Sequence, residues 1–162
     1  WEKHQDFGAL GAGSDLDDKG WGGSVAYTFA KSIKVGATYL DRKWETTPGN
    51  HTKKRSWTVG VDWRIAGPHS VQVQYANAGN SRGDGGAIGG NGGANAPGND
   101  TGADAWSLAY QYDLSKRTSV KLGYVRVDNE SNSNSARIGN TPALLGNGQN
   151  VDSWAFLVKH NF

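Results

Sequence analysis

Val151-Asp-Ser-Trp-Ala-Phe-Leu-Val-Lys-His-Asn-Phe162 is the stretch around which this chain has to be read. Counting back in twos from the end gives Phe162, His160, Val158, Phe156 and Trp154, four of them large and apolar. The intervening positions, Asn161, Lys159, Leu157, Ala155 and Ser153, are smaller and mostly polar. A period of two with unlike faces predicts a β-strand. That strand runs to an aromatic terminus, where a chain in water usually frays in polar residues. The bland alternative is an edge strand of a soluble sandwich, and the rest of the chain has to decide.

The same alternation recurs upstream. Trp21, Val25, Tyr27 and Phe29 oppose Gly22, Ser24, Ala26 and Thr28, and only Ala30-Lys-Ser32 separates them from the next run. There Ile33, Val35, Ala37 and Tyr39 oppose Lys34, Gly36, Thr38 and Leu40. The strongest case is Arg55 to Ile65, with Trp57, Val59, Val61, Trp63 and Ile65 against Ser56, Thr58, Gly60, Asp62 and Arg64. Val71, Val73 and Tyr75 then face away from Gln72, Gln74 and Ala76, and Trp106, Leu108, Tyr110 and Tyr112 from Ser107, Ala109 and Gln111. Val120, Leu122 and Tyr124 face away from Lys121 and Gly123. Trp1 to Phe7 reads as the end of one further strand.

Long polar connections are expected at about 8–20, 46–54, 77–103 and 129–150, alternating with short turns at 30–32, 66–68 and 114–117. The long stretch 77–103 offers almost nothing to bury. Such a layout describes an antiparallel up-and-down transmembrane β-barrel in one domain, 1–162, with long external loops and short periplasmic turns. The last strand follows a long loop, so the C-terminus is expected on the periplasmic side of an outer membrane. Outward aromatics fall near both strand ends: Trp21, Tyr27, Phe29, Trp57, Trp63, Trp106 and Tyr112 are the expected girdle residues. Separations of six to eight residues correspond to roughly 15–20 Å across the membrane at ~40° tilt.

Composition agrees. No apolar run approaches the ~18–20 residues of a membrane helix, and a mean hydropathy of −0.65 is what alternation with a wetted face produces. Seven Trp and six Tyr beside 24 Gly suit aromatic girdles better than a soluble core. With no Cys, disulfides and thiolate metal sites are excluded. A net charge of +2 gives no argument for nucleic acid, and Lys53-Lys-Arg55 reads as the foot of a loop. No signal peptide precedes Trp1, so a mature or truncated chain is expected.

The terminal segment resembles the C-terminal strand of Gram-negative outer-membrane β-barrels, in which a terminal Phe serves as assembly signal. Leu157 to Phe162 is most similar to general porins of the β-proteobacterial and neisserial type. His160 stands where many outer-membrane proteins carry Tyr. Tyr110-Gln-Tyr-Asp-Leu-Ser-Lys-Arg-Thr118 also resembles a recurrent strand–turn–strand segment of these porins. The resemblance implies that Trp154, Phe156, Val158 and Phe162 are read by the barrel-assembly machinery. It further implies a homotrimer in contact with outer-membrane lipid and lipopolysaccharide, and a constriction loop in a missing half. Seven strands and the end of an eighth amount to about half of a sixteen-stranded barrel.

The opposite face carries the functional expectation. Its residues are mostly small (Gly22, Ser24, Gly36, Gly60, Ser107, Ala109, Gly123, Ala155), which would leave a narrow eight-stranded interior full of voids but suits the wall of a wide aqueous channel. Lys34, Thr38, Asp62, Arg64, Gln72, Gln74, Lys121 and Lys159 are the expected lining residues of a pore for passive diffusion of small hydrophilic solutes and ions. Lys34, Arg64, Lys121 and Lys159 should form a basic ring offset only by Asp62.

No cofactor, metal or catalytic residue is expected. Asp15-Leu-Asp-Asp-Lys-Gly20 hints at an EF-hand, but Lys19 occupies a ligand position and Ala26 the place of the closing Glu. Gly89-Gly-Asn-Gly92 hints at a calcium-binding β-roll, but Ala94 replaces the required Asp. Arg82-Gly-Asp84 reads as chance. His4, His51, His69 and His160 are scattered, with no motif placing a Ser or carboxylate beside them. A small complete barrel with a structural or adhesive role stays open, and an outer-membrane hydrolase less so.

Overall fold

Trp57, Val59, Val61 and Trp63 take Tyr39, Ala37, Val35 and Ile33 as direct cross-strand partners on one side, and Asn77, Tyr75, Val73 and Val71 on the other. One apolar face thus continues over three strands from the alternation of a single one. The computed structural model describes residues 2–4, 17–88, 94–134, 136 and 146–162. Its strands are β1 (Glu2–His4), β2 (Asp18–Phe29), β3 (Ile33–Thr47), β4 (Asn50–Ala66), β5 (His69–Ala78), β6 (Arg82–Gly83), β7 (Ala103–Asp113), β8 (Thr118–Asn129) and β9 (Val151–His160). Apart from β6, they pair antiparallel in chain order, β1-β2-β3-β4-β5-β7-β8-β9. This is the up-and-down meander of a transmembrane β-barrel wall.

The described residues hold no water-soluble core. Their buried apolar side chains are Ala94, Ala103 and Val127, all toward the long-loop end. The large apolar groups stand exposed on one face, Trp57 and Leu108 among them. In water such a face would aggregate; against lipid it is the normal outer surface of a barrel. Exposure rises from 41% at Trp57 to 70% at Trp154 and Phe156 because β9 has a neighbour on one side only.

The predicted loop at 46–54 is not a loop. β3 runs to Thr47 and β4 starts at Asn50, so only Pro48 and Gly49 turn the chain. Pro followed by Gly at φ 86° is the chemistry of a type II turn. Charged side chains disguised two strand extensions as a connection, because an overhanging hairpin has no buried face to show in its sequence. The other long connections also start later or end sooner than predicted. Residues 18–20 belong to β2, Asn77 and Ala78 to β5, Ala103 to β7 and Asn129 to β8. Residues 1, 5–16, 89–93, 135 and 137–145 lie outside the described ones, and with them Gly89-Gly-Asn-Gly92, the first residues of the EF-hand-like segment and, apart from Glu2–His4, the strand end expected from Trp1 to Phe7. The rest of that segment, Asp18 to Gly20, is extended strand rather than a metal-binding turn.

The described residues of 79–88 and 94–102 bury more than their composition suggests. Where β5 leaves β4, β6 takes over the edge, with Lys53 opposite Arg82 and Thr52 opposite Gly83. Gly83 has φ 121°, and a Cβ there would stand 2.1 Å from the His51 carbonyl oxygen, so only glycine seats this segment. Ser81, Ala94 and Thr101 are buried; the Ser81 N–H donates to the Thr101 hydroxyl at 2.8 Å, Thr101 receives Lys54 of β4, and Ala94 bridges Ile88. The next long connection joins them: the Asn132 N–H donates to the Asp100 carbonyl at 2.8 Å and the Gly102 N–H to the Glu130 carboxylate at 2.8 Å.

Candidate channel wall

The face opposite the apolar one is assembled by register. A transverse line runs from Lys34 through Asp62, Gln72, Ala109 and Gly123 to Ala155, each residue directly opposite the next. The adjoining line holds Gly36, Gly60, Gln74 and Ser107. Toward the short-turn end follow Arg64, Ser70, Gln111, Lys121 and Leu157. Most positions between the charged ones are Gly, Ala or Ser, so long side chains lie over their neighbours rather than packing upright.

Three of the predicted residues join in a chain. The Gln72 side-chain amide donates to the Asp62 carboxylate at 2.9 Å, and its carbonyl accepts from the Lys121 ammonium. Carboxylate on one side and ammonium on the other fix which way the amide points. Lys121 reaches across β7 because Ala109 offers no bulk there. A hollow of about 460 Å³ lies over this group, bounded also by Lys34, Gln74 and Ser107. Thr38 stands apart, opposite Thr58. Arg64 is the last regular partner on β4 before a register shift, opposite Ser70.

Lys159 is opposite Ser119, which is opposite Asp113. These bound a second hollow of about 330 Å³ with Lys116, Arg117 and Lys121. Asp113, which accepts from the Gln111 amide at 2.8 Å, corrects the expected charge pattern: Asp62 is not the sole carboxylate among these cations. Asp113 ends its strand, and alternation alone does not reveal whether a turn residue keeps its face.

Two further cations on this face are not among the expected lining residues: Lys54, read as the foot of a loop, and Arg42, in the long-loop half of β3. Lys54 is buried and donates to the Thr101 carbonyl at 3.2 Å. Beyond the membrane-spanning part of β4, its ammonium is held below the ordinary lysine range, chiefly by burial and next by Arg42, with Glu130 opposing. The Arg42 guanidinium lies over the Trp44 ring, 5.1 Å from its centroid. Their signal was parity: both continue the polar face of β3 and β4.

On the apolar face, aromatic contacts run diagonally from strand to strand near the long-loop end. Trp21 meets Tyr39 at 5.2 Å between ring centroids, Trp57 meets Tyr75 at 5.3 Å, and Trp106 meets Tyr124 at 5.0 Å; Tyr124 and Trp154, directly opposite, are 4.8 Å apart. Tyr39, Tyr75 and Tyr124 extend the predicted set. Tyr hydroxyls point to carboxylates just beyond, Tyr75 to Asp104 at 2.5 Å and Tyr124 to Asp152 at 2.6 Å. Near the short-turn end lie Tyr27 against Phe29, Tyr112 against His69, and Phe162 against His160. Trp63 is opposite Ile33 and Val71, and on β9 Phe156 and Val158 are opposite Leu122 and Val120.

Among curated proteins, none matches this chain. A family model described as Gram-negative porin matches residues 2–132, well over half of the sequence, over the same meander of one apolar and one polar face. On that match and that architecture, the chain belongs to the Gram-negative porin family of outer-membrane β-barrels.

Proposed function

We infer that the polar face lines a water-filled channel through which small hydrophilic solutes and ions diffuse passively. The observation that carries this reading is the Lys121–Gln72–Asp62 chain, with Lys34 opposite Asp62, spread over a floor of Gly, Ala and Ser. Charged groups in one plane with so little bulk around them need water, and they fit a wide lumen rather than a filled interior. Lys34, Thr38, Asp62, Arg64, Gln72, Gln74, Lys121 and Lys159 are the lining residues on this reading; selection is by size and by their field. The opposite face contacts lipid, with the two aromatic zones at its boundaries.

The long-loop end faces outward and the C-terminus the periplasm. Trp154, Phe156, Val158 and Phe162 form the assembly signal. Among the described residues the sheet is unpaired along Trp21 to Phe29 of β2 and at the outer edge of β9, which fits part of a larger barrel, trimeric as general porins are. No substrate is transformed on this reading, and no cofactor enters.

Because the chain lacks Cys, single-Cys variants report without background. In the closed barrel containing this chain, a membrane-impermeant thiol reagent should label Asp62→Cys and Gly60→Cys and lower single-channel conductance. Val59→Cys and Val61→Cys should stay unlabelled. Equal labelling of both sets, or labelling at Asp62 with no conductance change, contradicts the channel.

A further inference from the structure

At the short-turn end of the polar face, the last two strands and the turn before them bring four cations around one hollow. Lys121 on β8 is opposite Gln111 and Leu157, and Lys159 on β9 is opposite Ser119, which is opposite Asp113. Lys116 and Arg117 belong to the connection between β7 and β8. All four line the hollow of about 330 Å³, and Asp113 is the one carboxylate among the lining side chains. The lining therefore carries a surplus of three positive charges.

The acid does not neutralise its neighbours. Asp113 accepts from the Gln111 amide at 2.8 Å rather than from a cation. Among the described residues, none of Lys116, Arg117 and Lys159 pairs with a carboxylate within 4.0 Å. Lys121 bonds the Gln72 carbonyl and borders both this hollow and the one over Asp62.

The backbone that carries these charges is pinned. The Ser115 hydroxyl accepts from the N–H groups of Arg117 at 3.1 Å and Thr118 at 3.0 Å. The Asn161 N–H donates to the Arg117 carbonyl at 2.9 Å, tying the turn to the end of β9, and the Asp113 N–H donates to the Pro68 carbonyl at 2.9 Å, tying it to the turn before β5. A hollow formed in advance loses less order when an anion enters.

Magnitude selects the ligand. The volume is at the lower end of the ~300–1,000 Å³ of small-molecule sites, too small for a folded partner. Two opposite unit charges ~7 Å apart in dilute salt raise occupancy about twofold. One negative charge thus gains less than about tenfold from the surplus, whereas several charges on one molecule multiply the gain. Arg117 adds the planar fork that takes a carboxylate or phosphate through two hydrogen bonds.

We propose that Lys116, Arg117, Lys121 and Lys159 form a binding station at the short-turn mouth for small solutes bearing two or more carboxylate or phosphate charges. This rests on the channel reading in taking the hollow to open into the lumen. Because Lys121 borders both hollows, a polyanion leaving the wall around Asp62 reaches the turn without leaving the cationic surface. Singly charged ions cross without pausing there.

The test measures equilibrium binding of citrate, pyrophosphate and acetate to the detergent-purified closed barrel containing this chain, at low salt. Citrate or pyrophosphate should bind about tenfold or more tighter than acetate, and the tighter of the two identifies the acid group preferred. K116Q/R117Q should weaken the polyanion about tenfold or more, while K116R/R117K retains it. K19Q/K31Q removes as much charge elsewhere and should change nothing. Equal weakening in both Gln variants, unchanged binding in K116Q/R117Q, or acetate as tight as both polyanions overturns the proposal. Heat-modifiable migration verifies folding of each variant. Conductance of the same samples separates the two readings. A barrel that conducts ions but holds citrate and pyrophosphate no tighter than acetate sinks the station and leaves the channel. One that binds them through Lys116 and Arg117 without conducting sinks the channel and leaves the station.

Discussion

Lys34 on β3 and Asp62 on β4 face each other as direct cross-strand partners on the polar face, and the same Asp62 carboxylate accepts from Gln72 at 2.9 Å. One acid therefore balances Lys34 through register and Lys121 through the intervening amide. On the channel reading, changing Asp62 to Asn should remove the acid that balances both ammonium groups. A single charge ~8 Å from a passing ion in water is worth about 0.5 kcal/mol and about 0.2 kcal/mol at physiological salt; because it acts with opposite sign on the two ions, anion over cation preference should rise about twofold. Lys121→Gln with Lys159→Gln should lower it by a similar or larger factor. Reversal potentials in a salt gradient measure both; no shift in either variant places selectivity elsewhere in the barrel.

The turn between β2 and β3 carries an avoidable conformational cost. Ala30 and Lys31 have φ of 47° and 61°, the two left-handed positions of a type I′ hairpin, closed by the Ser32 N–H donating to Phe29 at 3.1 Å. Asn and Gly prefer those positions. Ala30→Asn with Lys31→Gly should stabilise the folded barrel by about 1 kcal/mol, seen as a raised urea midpoint with unchanged slope.

Lys54 links the long-loop cluster to pH. Burial and Arg42 lower its pKa in the folded state, so between the folded and the ordinary value the unfolded form binds the extra proton. Stability of the cluster should therefore rise as pH rises through that alkaline window, and fall toward a lower plateau below the folded value. Lys54→Met should flatten that rise. Limited proteolysis of residues 79–102 across the window, variant against wild type, gives the comparison. An unchanged slope in Lys54→Met would falsify the assignment.

The strands were legible wherever one face meets lipid, because apolar contrast at period two is then forced on the sequence. Arg55 to Ile65 shows this best, and its polar set was legible for the same reason. Beyond the membrane that contrast disappears. Lys43, Lys53 and Glu45 look like loop residues although they sit in regular ladders, and nothing local shows that Lys53 falls opposite both Lys43 and Arg82. Register is a property of pairs of strands. The buried packing of Ser81, Thr101 and Lys54 was hidden likewise, since it rests on hydrogen bonds between residues far apart in the chain, the Ser81 N–H to the Thr101 hydroxyl and the Lys54 ammonium to the Thr101 carbonyl, that composition does not encode.

Phe162 ends the chain beside His160, 4.8 Å between ring centroids, and His160 Nδ1 is 2.8 Å from the Thr118 hydroxyl. These contacts bring the terminal ring to the foot of the last hairpin, on the face of Trp154 and Phe156. Deleting Phe162 or replacing it with Asp should lower the yield of heat-modifiable barrel in the outer membrane at least tenfold, with synthesis unchanged. A normal yield would remove the terminus from the assembly step.

Among the described residues, the outer edge of β9 and the stretch Trp21 to Phe29 of β2 each have a ladder partner on one side only, since β1 pairs with β2 at Asp18 to Gly20. In lipid every edge N–H and C=O left without a partner costs several kcal/mol. Those edges can pair with each other or with further strands. Pairing with each other would force the seven strands β2, β3, β4, β5, β7, β8 and β9 into a narrow tube. There the small residues Gly36, Gly60, Ala109 and Gly123 would leave voids, while Lys34, Asp62 and Lys121 would crowd into low dielectric without enough partners. Pairing with further strands keeps the charges in water. The 162 residues produced alone should therefore aggregate on refolding and give no discrete conductance steps in a planar bilayer. Supplying strands that cover both edges, in one chain, should restore both solubility in detergent and channel activity. Discrete, stable channels from the 162 residues alone would show that β2 and β9 pair directly, and would replace the large barrel by a small one.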